Sequence, residues 1–142
     1  MTLDVMRIGQ CFLIAATSLV VTLAHGQKPP AELLESVNSL SLSRATLDVC
    51  LASPDFRKLA DATQRQTLAI SNRIDHLAND MHESSKGRLL YVSYSLTVSK
   101  YANSTGFRRQ LLERRDGACD FNSIAELDTK LKRTERAIKK QL

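Results

Sequence analysis

The sequence predicts an all-α protein, a small antiparallel (up-down-up-down) helical bundle left after removal of an N-terminal signal peptide. Three observations carry that reading. Glycine (5), proline (3) and aromatic residues (5%) are scarce and tryptophan is absent, which is poor material for a β-sandwich. Apolar or small residues recur every three or four positions from Phe56 to Met81, about seven turns without a slip. The breaks between such runs are short, as bundle connections are. At 142 residues, 25% charged and 43% hydrophobic, the chain has the size and make-up of one globular domain. Wholesale disorder, collagen and multi-span membrane classes are excluded.

The first segment reads as an address. Cys11 to Ala24 is uncharged and 14 residues long, short of the ~20 that span a bilayer. Arg7 precedes it, and Ala24 and Gly26 supply the small residues for a cut before Gln27. Residues 1–26 are therefore expected to be a signal peptide and residues 27–142 a single helical domain, exported to the periplasm or the extracellular space. Met6 is a second candidate start, because Asp4 is out of place in a signal n-region. Cys11 belongs to the apolar run and carries no chemistry.

Four helical segments follow. Leu33, Val37, Leu40, Leu47 and Leu51 share one face, with Arg44 interrupting it. Ser53-Pro54-Asp55 supplies a cap, a first-turn proline and an acid for the second helix. That helix runs through Phe56, Leu59, Thr63, Thr67, Ile70, Ile74, Leu77 and Met81. Ser84-Ser85-Lys86-Gly87 breaks the pattern. The third segment, Arg88 to about Arg115, has two readings. Tyr91, Tyr94, Val98 and Tyr101 make a helical face, whereas Leu90, Val92, Tyr94, Leu96 and Val98 alternate as a strand would. Helix is favoured because an isolated two-stranded pair is marginal. The alternative is an α+β fold with a strand at about 89–99. Gly106 is expected to kink or end this helix. Asp116-Gly117 is a turn, and Ser123 with Glu126 has the capping-box form that opens the last helix.

After cleavage two cysteines remain, Cys50 and Cys119. Export to an oxidising compartment predicts a disulfide between them. An antiparallel bundle also puts the end of the first helix beside the start of the fourth. Chain entropy gives such a bridge roughly 4 kcal/mol.

The chemistry-bearing residues form no catalytic constellation, and no cofactor or metal is expected. His76, Asp80 and Glu83 share a helix face, read as solvated. Paired-His zinc motifs, glycine-rich phosphate loops, nucleophile elbows and specific nucleic-acid motifs are missing. Asn103-Ser104-Thr105 is an N-glycosylation acceptor if the source is a eukaryote. The tail from 128 to 142 holds Lys130, Lys132, Arg133, Arg136, Lys139 and Lys140 against Asp128 and Glu135. Residues 27–127 carry 13 basic and 12 acidic groups, so the tail's excess makes it a candidate anion-binding surface.

Three functional readings follow. The first is a non-enzymatic interaction or structural protein that contacts a protein or an anionic surface, with homo-oligomers open to it. The second is a small secreted helical enzyme that binds an anionic substrate through arginine and lysine. The third is a peripheral binder of anionic membranes through the last helix. Over five residues, Arg73-Ile74-Asp75-x-Leu77 resembles a helix of the secreted chorismate mutases. An inter-helix pocket lined by inward Arg, Lys and Glu would favour the enzyme, and a dry apolar core the interaction protein.

Overall fold

The computed structural model describes residues 28–114 and 118–142. The expected signal peptide and the Asp116-Gly117 turn lie outside the described residues. Among the described residues the five α-helices lie in the unit from Ala31 to Leu142, and no strand occurs.

Helix α1 (Ala31–Ala52) starts directly after Pro30 and is the central element, packed most extensively on α3 and next on α5. Its buried face is wider than the leucine stripe alone. Leu33, Val37, Leu40 and Leu47 are joined by Ser41, Ser43, Ala45 and Thr46. Of these, Ser41 lies against α3, whereas Ser43 and Thr46 face α4 and α5. The Ser41 Oγ lies 2.8 Å from the Val37 carbonyl oxygen and 3.3 Å from that of Tyr94 on α3. Bonding to the carbonyl four residues back is how a buried helical serine satisfies its hydroxyl.

The second segment corrects the sequence reading. Ser53 caps a 3-10 turn (Pro54–Lys58), accepting from the Asp55 N–H, and α2 (Asp61–Glu83) begins only afterwards. Leu59 and Ala60 are extended between them. Spacing does not reveal this break, because Phe56, Leu59 and Thr63 keep the same three-to-four interval across it. Gln64 stabilises the joint by donating its side-chain N–H to the carbonyls of Leu59 (2.8 Å) and Arg57 (3.2 Å). Beyond it α2 follows the expected face. Thr63, Thr67, Ile70, Ile74, Leu77 and Met81 are all buried, and the Thr67 hydroxyl donates to the Thr63 carbonyl.

At the α2–α3 turn Gly87 is required by space. A Cβ there would stand 2.5 Å from the Met81 carbonyl oxygen and 2.7 Å from Cδ2 of Leu142. The ambiguous third segment is helix α3 (Arg88–Ala102). Its alternation arises because two apolar rows interleave on one helix. Leu90, Tyr94 and Val98 turn inward, while Leu89, Val92 and Leu96 turn outward.

Two boundaries differ from expectation. The third segment breaks at Asn103–Ser104 and not at Gly106, because the Ser104 hydroxyl accepts from the Phe107 N–H and starts α4 (Thr105–Glu113). Gly106 sits inside α4. Helix α5 (Phe121–Lys139) is capped by Asp120, whose carboxylate accepts from the Ser123 N–H at 2.7 Å. The capping box of Ser123 and Glu126 thus gives way to an acid three positions earlier. A carboxylate is the stronger acceptor at the positive end of a helix. The bond to the Ser123 N–H also holds the Asp120 pKa below its ordinary value.

The four long helices alternate in direction. Asp48 and Val49 lie near Tyr101 and Ala102, as parallel α1 and α3 require. Cys50, at the end of α1, meets Cys119, just before α5, with Cα atoms 5.5 Å apart and sulfurs at disulfide distance. Leu142 returns to the α2–α3 turn. The core between them is Val37, Leu40, Leu47, Ile70, Ile74, Leu77, Met81, Leu90, Ile124, Leu131 and Ile138.

Candidate interaction surface

Two arginines join the helices laterally. Arg44 of α1 reaches Asp48 on its own helix (3.0 Å) and crosses to Asp75 (2.7 Å) and Ser71 (3.1 Å) of α2. Burial works against its charge, but Asp48 and Asp75 outweigh that and raise its pKa. The residue that interrupts the leucine stripe therefore has its head outside the apolar core, between carboxylates. Beside it, burial pushes the Tyr94 hydroxyl up to about 12.

Arg73 of α2 bridges to α5. Its two terminal nitrogens meet Asp128 and Glu135, each at 2.7 Å. Seven residues apart, those acids stand two turns apart on one face, which matches the fork of a guanidinium. Lys132 and Lys139, each four residues further on, pair with Asp128 (2.8 Å) and Glu135 (2.9 Å). The Asp128 pKa is lowered by Lys132 and then by Arg73. Burial pushes Glu135 upward, but hydrogen bonds from Arg73 and Lys139 prevail and lower it.

This network divides the basic tail. Lys132 and Lys139 neutralise the tail's own carboxylates, and Arg136 donates Nε–H to the Lys132 carbonyl. Lys130, Arg133 and Lys140 are exposed and make no ion pair among the described residues. Lys130 and Arg133 border an open depression with Ala125, Glu126 and Thr129. The tail is docked along its length. Ile124, Leu131, Thr134 and Ile138 are buried, and Leu142 packs against the core.

A second cationic region escaped sequence reading because it is diluted over 29 positions. Between Glu83 and Glu113 the chain has Lys86, Arg88, Lys100, Arg108 and Arg109 and no acid at all. None of the five enters an ion pair among the described residues. The signal that would have found it is a charge count by segment rather than by terminus.

The remaining candidates stay apart. His76, Asp80 and Glu83 are exposed, and among the described residues no group of three or more metal-ligating side chains is gathered. His82 packs edge-on against the Tyr91 ring at 4.7 Å. A groove of about 220 Å³ lies between α1, α4 and α5, with Ser39, Ser43, Thr46 and Phe107 in its lining and exposed Arg114, Glu126 and Lys130 among its walls. Ligand pockets more often run to 300–1,000 Å³. No helix among the described residues is long and apolar enough to cross a membrane. Comparison of the chain with known protein families, curated proteins and solved structures finds no match.

Proposed function

We propose that the chain is an exported, non-catalytic binding protein that contacts an anionic macromolecular surface through cations its fold leaves unpaired. The supporting observation is the division of charge. Arg44, Arg73, Lys132 and Lys139 are matched to carboxylates within the bundle, whereas Lys130, Arg133, Lys140 and the five cations of the α3–α4 region make no ion pair among the described residues. Exposed like charges raise the rate and strength of encounter with a surface of opposite sign, in a salt-dependent way. The disulfide-distance cysteines fit an oxidising compartment. In this reading residues 1–26 are cleaved.

The test is retention on immobilised heparin and on an acidic protein column as salt is raised. Retention at physiological ionic strength is expected, with Lys130→Gln, Arg133→Gln and Lys140→Gln together eluting at lower salt. A chain that passes both columns at low salt overturns the proposal. Mass spectrometry of exported material starting at Gln27 tests the cleavage.

A second reading has one observation behind it. The α1–α4–α5 groove carries Arg114 and Lys130 near Glu126, so it could hold a small anion as the enzyme alternative requires. Arg73, which carried the five-residue resemblance, instead has both terminal nitrogens on carboxylates of α5.

A further inference from the structure

Helix α3 is apolar on two sides, and only one of them is used. Leu90 and Tyr94 are 2% and 7% exposed, against α1 and the core. Opposite them, Leu89, Val92 and Leu96 are 45%, 52% and 67% exposed. At 100° per residue these three fall within one narrow sector, on a row roughly 10 Å long. Lys86 and Arg88 stand exposed at one end of the row and Lys100 at the other. No carboxylate occurs from Ser84 to Leu112 to offset them.

We infer that the outer face of α3 docks on an anionic phospholipid surface, with Leu89, Val92 and Leu96 entering the headgroup boundary and Lys86, Arg88 and Lys100 meeting lipid phosphates. The inference rests on the anion-binding reading above and names a different surface from the basic tail. An apolar row whose charged neighbours on its own segment are all cations is the pattern of a helix lying in a membrane interface, where aliphatic side chains enter the acyl boundary and basic ones remain at the phosphates. A second copy of the chain fits worse. Antiparallel pairing of two α3 helices sets Arg88 against Lys100, and parallel pairing sets each cation against itself. Three half-exposed side chains also fall far short of the roughly 20–30 residues a side of a stable protein interface. Such interfaces favour aromatic anchors, yet the tyrosines of α3 face elsewhere. Tyr94 is buried, Tyr91 lies against His82, and Tyr101 lies against Phe107.

The absence of tryptophan makes the test local. Val92→Trp in the full chain places a single indole on the row. Leu68→Trp on α2 and Thr129→Trp on α5 place one on other exposed faces, so that membrane insertion by residues 11–24 is not mistaken for contact at α3. Vesicles of equimolar phosphatidylglycerol and phosphatidylcholine are expected to shift the emission of the Val92→Trp chain to the blue and to leave the other two unmoved. Pure phosphatidylcholine should move none. Replacing Lys86, Arg88 and Lys100 by Gln in the Val92→Trp chain is expected to weaken binding by roughly fivefold per cation, about a hundredfold in all. An unmoved Val92→Trp emission, or an equal shift on uncharged vesicles, overturns the inference. A shift confined to Thr129→Trp overturns it too, and moves the contact to the basic tail. If heparin or the acidic column retains the chain while the Val92→Trp emission stays unmoved on vesicles, the lipid inference fails and the broader reading stands. A chain that binds none of these fails both.

Discussion

The α2–α5 side and the α3–α4 region of this bundle use the same cationic residue types to opposite ends. Along α5 the acids Asp128 and Glu135 stand against Arg73, with Lys132 and Lys139 completing the chain of charges. From Ser84 to Leu112 five cations have no acid of their own segment and no ion pair among the described residues. One side matches charge with charge across two helices. The other leaves charge and an apolar row exposed. Net charge alone hides this difference, because the tail looks like the most basic part of the chain and is in fact the more neutralised one.

The largest expected effect lies at the junction of α1 with the lead-in to α5. The Cys50–Cys119 pair closes a loop across a separation of 69 residues. With the bond formed, its reduction should cost roughly 3–4 kcal/mol and lower Tm by on the order of 10–20 °C. Cys50→Ala with Cys119→Ala should abolish the sensitivity to reductant in a thermal melt. If reductant leaves the wild-type melt unchanged, the junction of α1 and α5 is held without a covalent tie.

Next comes the turn between α2 and α3. Gly87→Ala places a methyl group against the Met81 carbonyl and the Leu142 side chain. The side chain can move, but the backbone oxygen of α2 cannot without disturbing the helix end. Overpacking of this kind costs about 1–3 kcal/mol, read as a lower denaturant midpoint. Gly106→Ala is the contrast. Its nearest neighbour is the Ser104 hydroxyl at 4.0 Å, so the substitution should be neutral or stabilising, by up to about 1 kcal/mol.

Much of the bundle was legible in the sequence because its helices bury long apolar side chains at regular intervals. The face of α2 from Thr63 to Met81 came from spacing alone. What spacing could not reveal has two physical causes. Serine and threonine read as polar, yet Ser41 is buried against α3 and Ser43 and Thr46 are buried on the side of α1 that meets α4 and α5, each hydroxyl bonded to the carbonyl four residues back. Local caps also compete over a few residues. Asp120 displaces Ser123 as the cap of α5, and Ser104 moves the break in the third segment away from Gly106. The candidate surface was legible in part. The tail's basic excess is plain in the chain, but its division by Arg73 depends on which face of α5 meets α2.

Arg73 gives a smaller effect with a distinct pH signature. Arg73→Met keeps most of the stem and removes the fork. Arg73 is 34% exposed and its two acids 20%, so solvent screens the pairs and the expected loss is about 1–2 kcal/mol at neutral pH. The pKa values of Asp128 and Glu135 are lowered in the folded chain. Their contribution is therefore full above the ordinary carboxylate range and is lost as pH falls through the folded values. Wild-type stability should hold from neutral pH to about 5 and then decline. In Arg73→Met the plateau should be lower and the decline shallower, with Lys132 and Lys139 sustaining the remainder. If Arg73→Met loses as much stability in urea denaturation at pH 3 as at pH 7, Arg73 contributes nothing beyond its stem.

The smallest expected effect tests the outer face of α3. Leu96 is 67% exposed, so Leu96→Ser removes little buried surface. Serine is a slightly poorer helix former than leucine, by a few tenths of a kcal/mol. Exposed substitutions away from caps and networks usually stay within about 0.5 kcal/mol, and this one should do so in urea denaturation. Leu90→Ser is the control for the inner row, where the side chain is 2% exposed and a hydroxyl would displace core packing. The two exchanges are chemically identical and lie on the same helix, so helix propensity cancels between them. A near-zero cost at 96 beside a large one at 90 means that the outer row adds nothing to the isolated fold. A cost at 96 approaching that at 90 would instead make Leu96 part of the packed structure and remove the basis for assigning it an external contact.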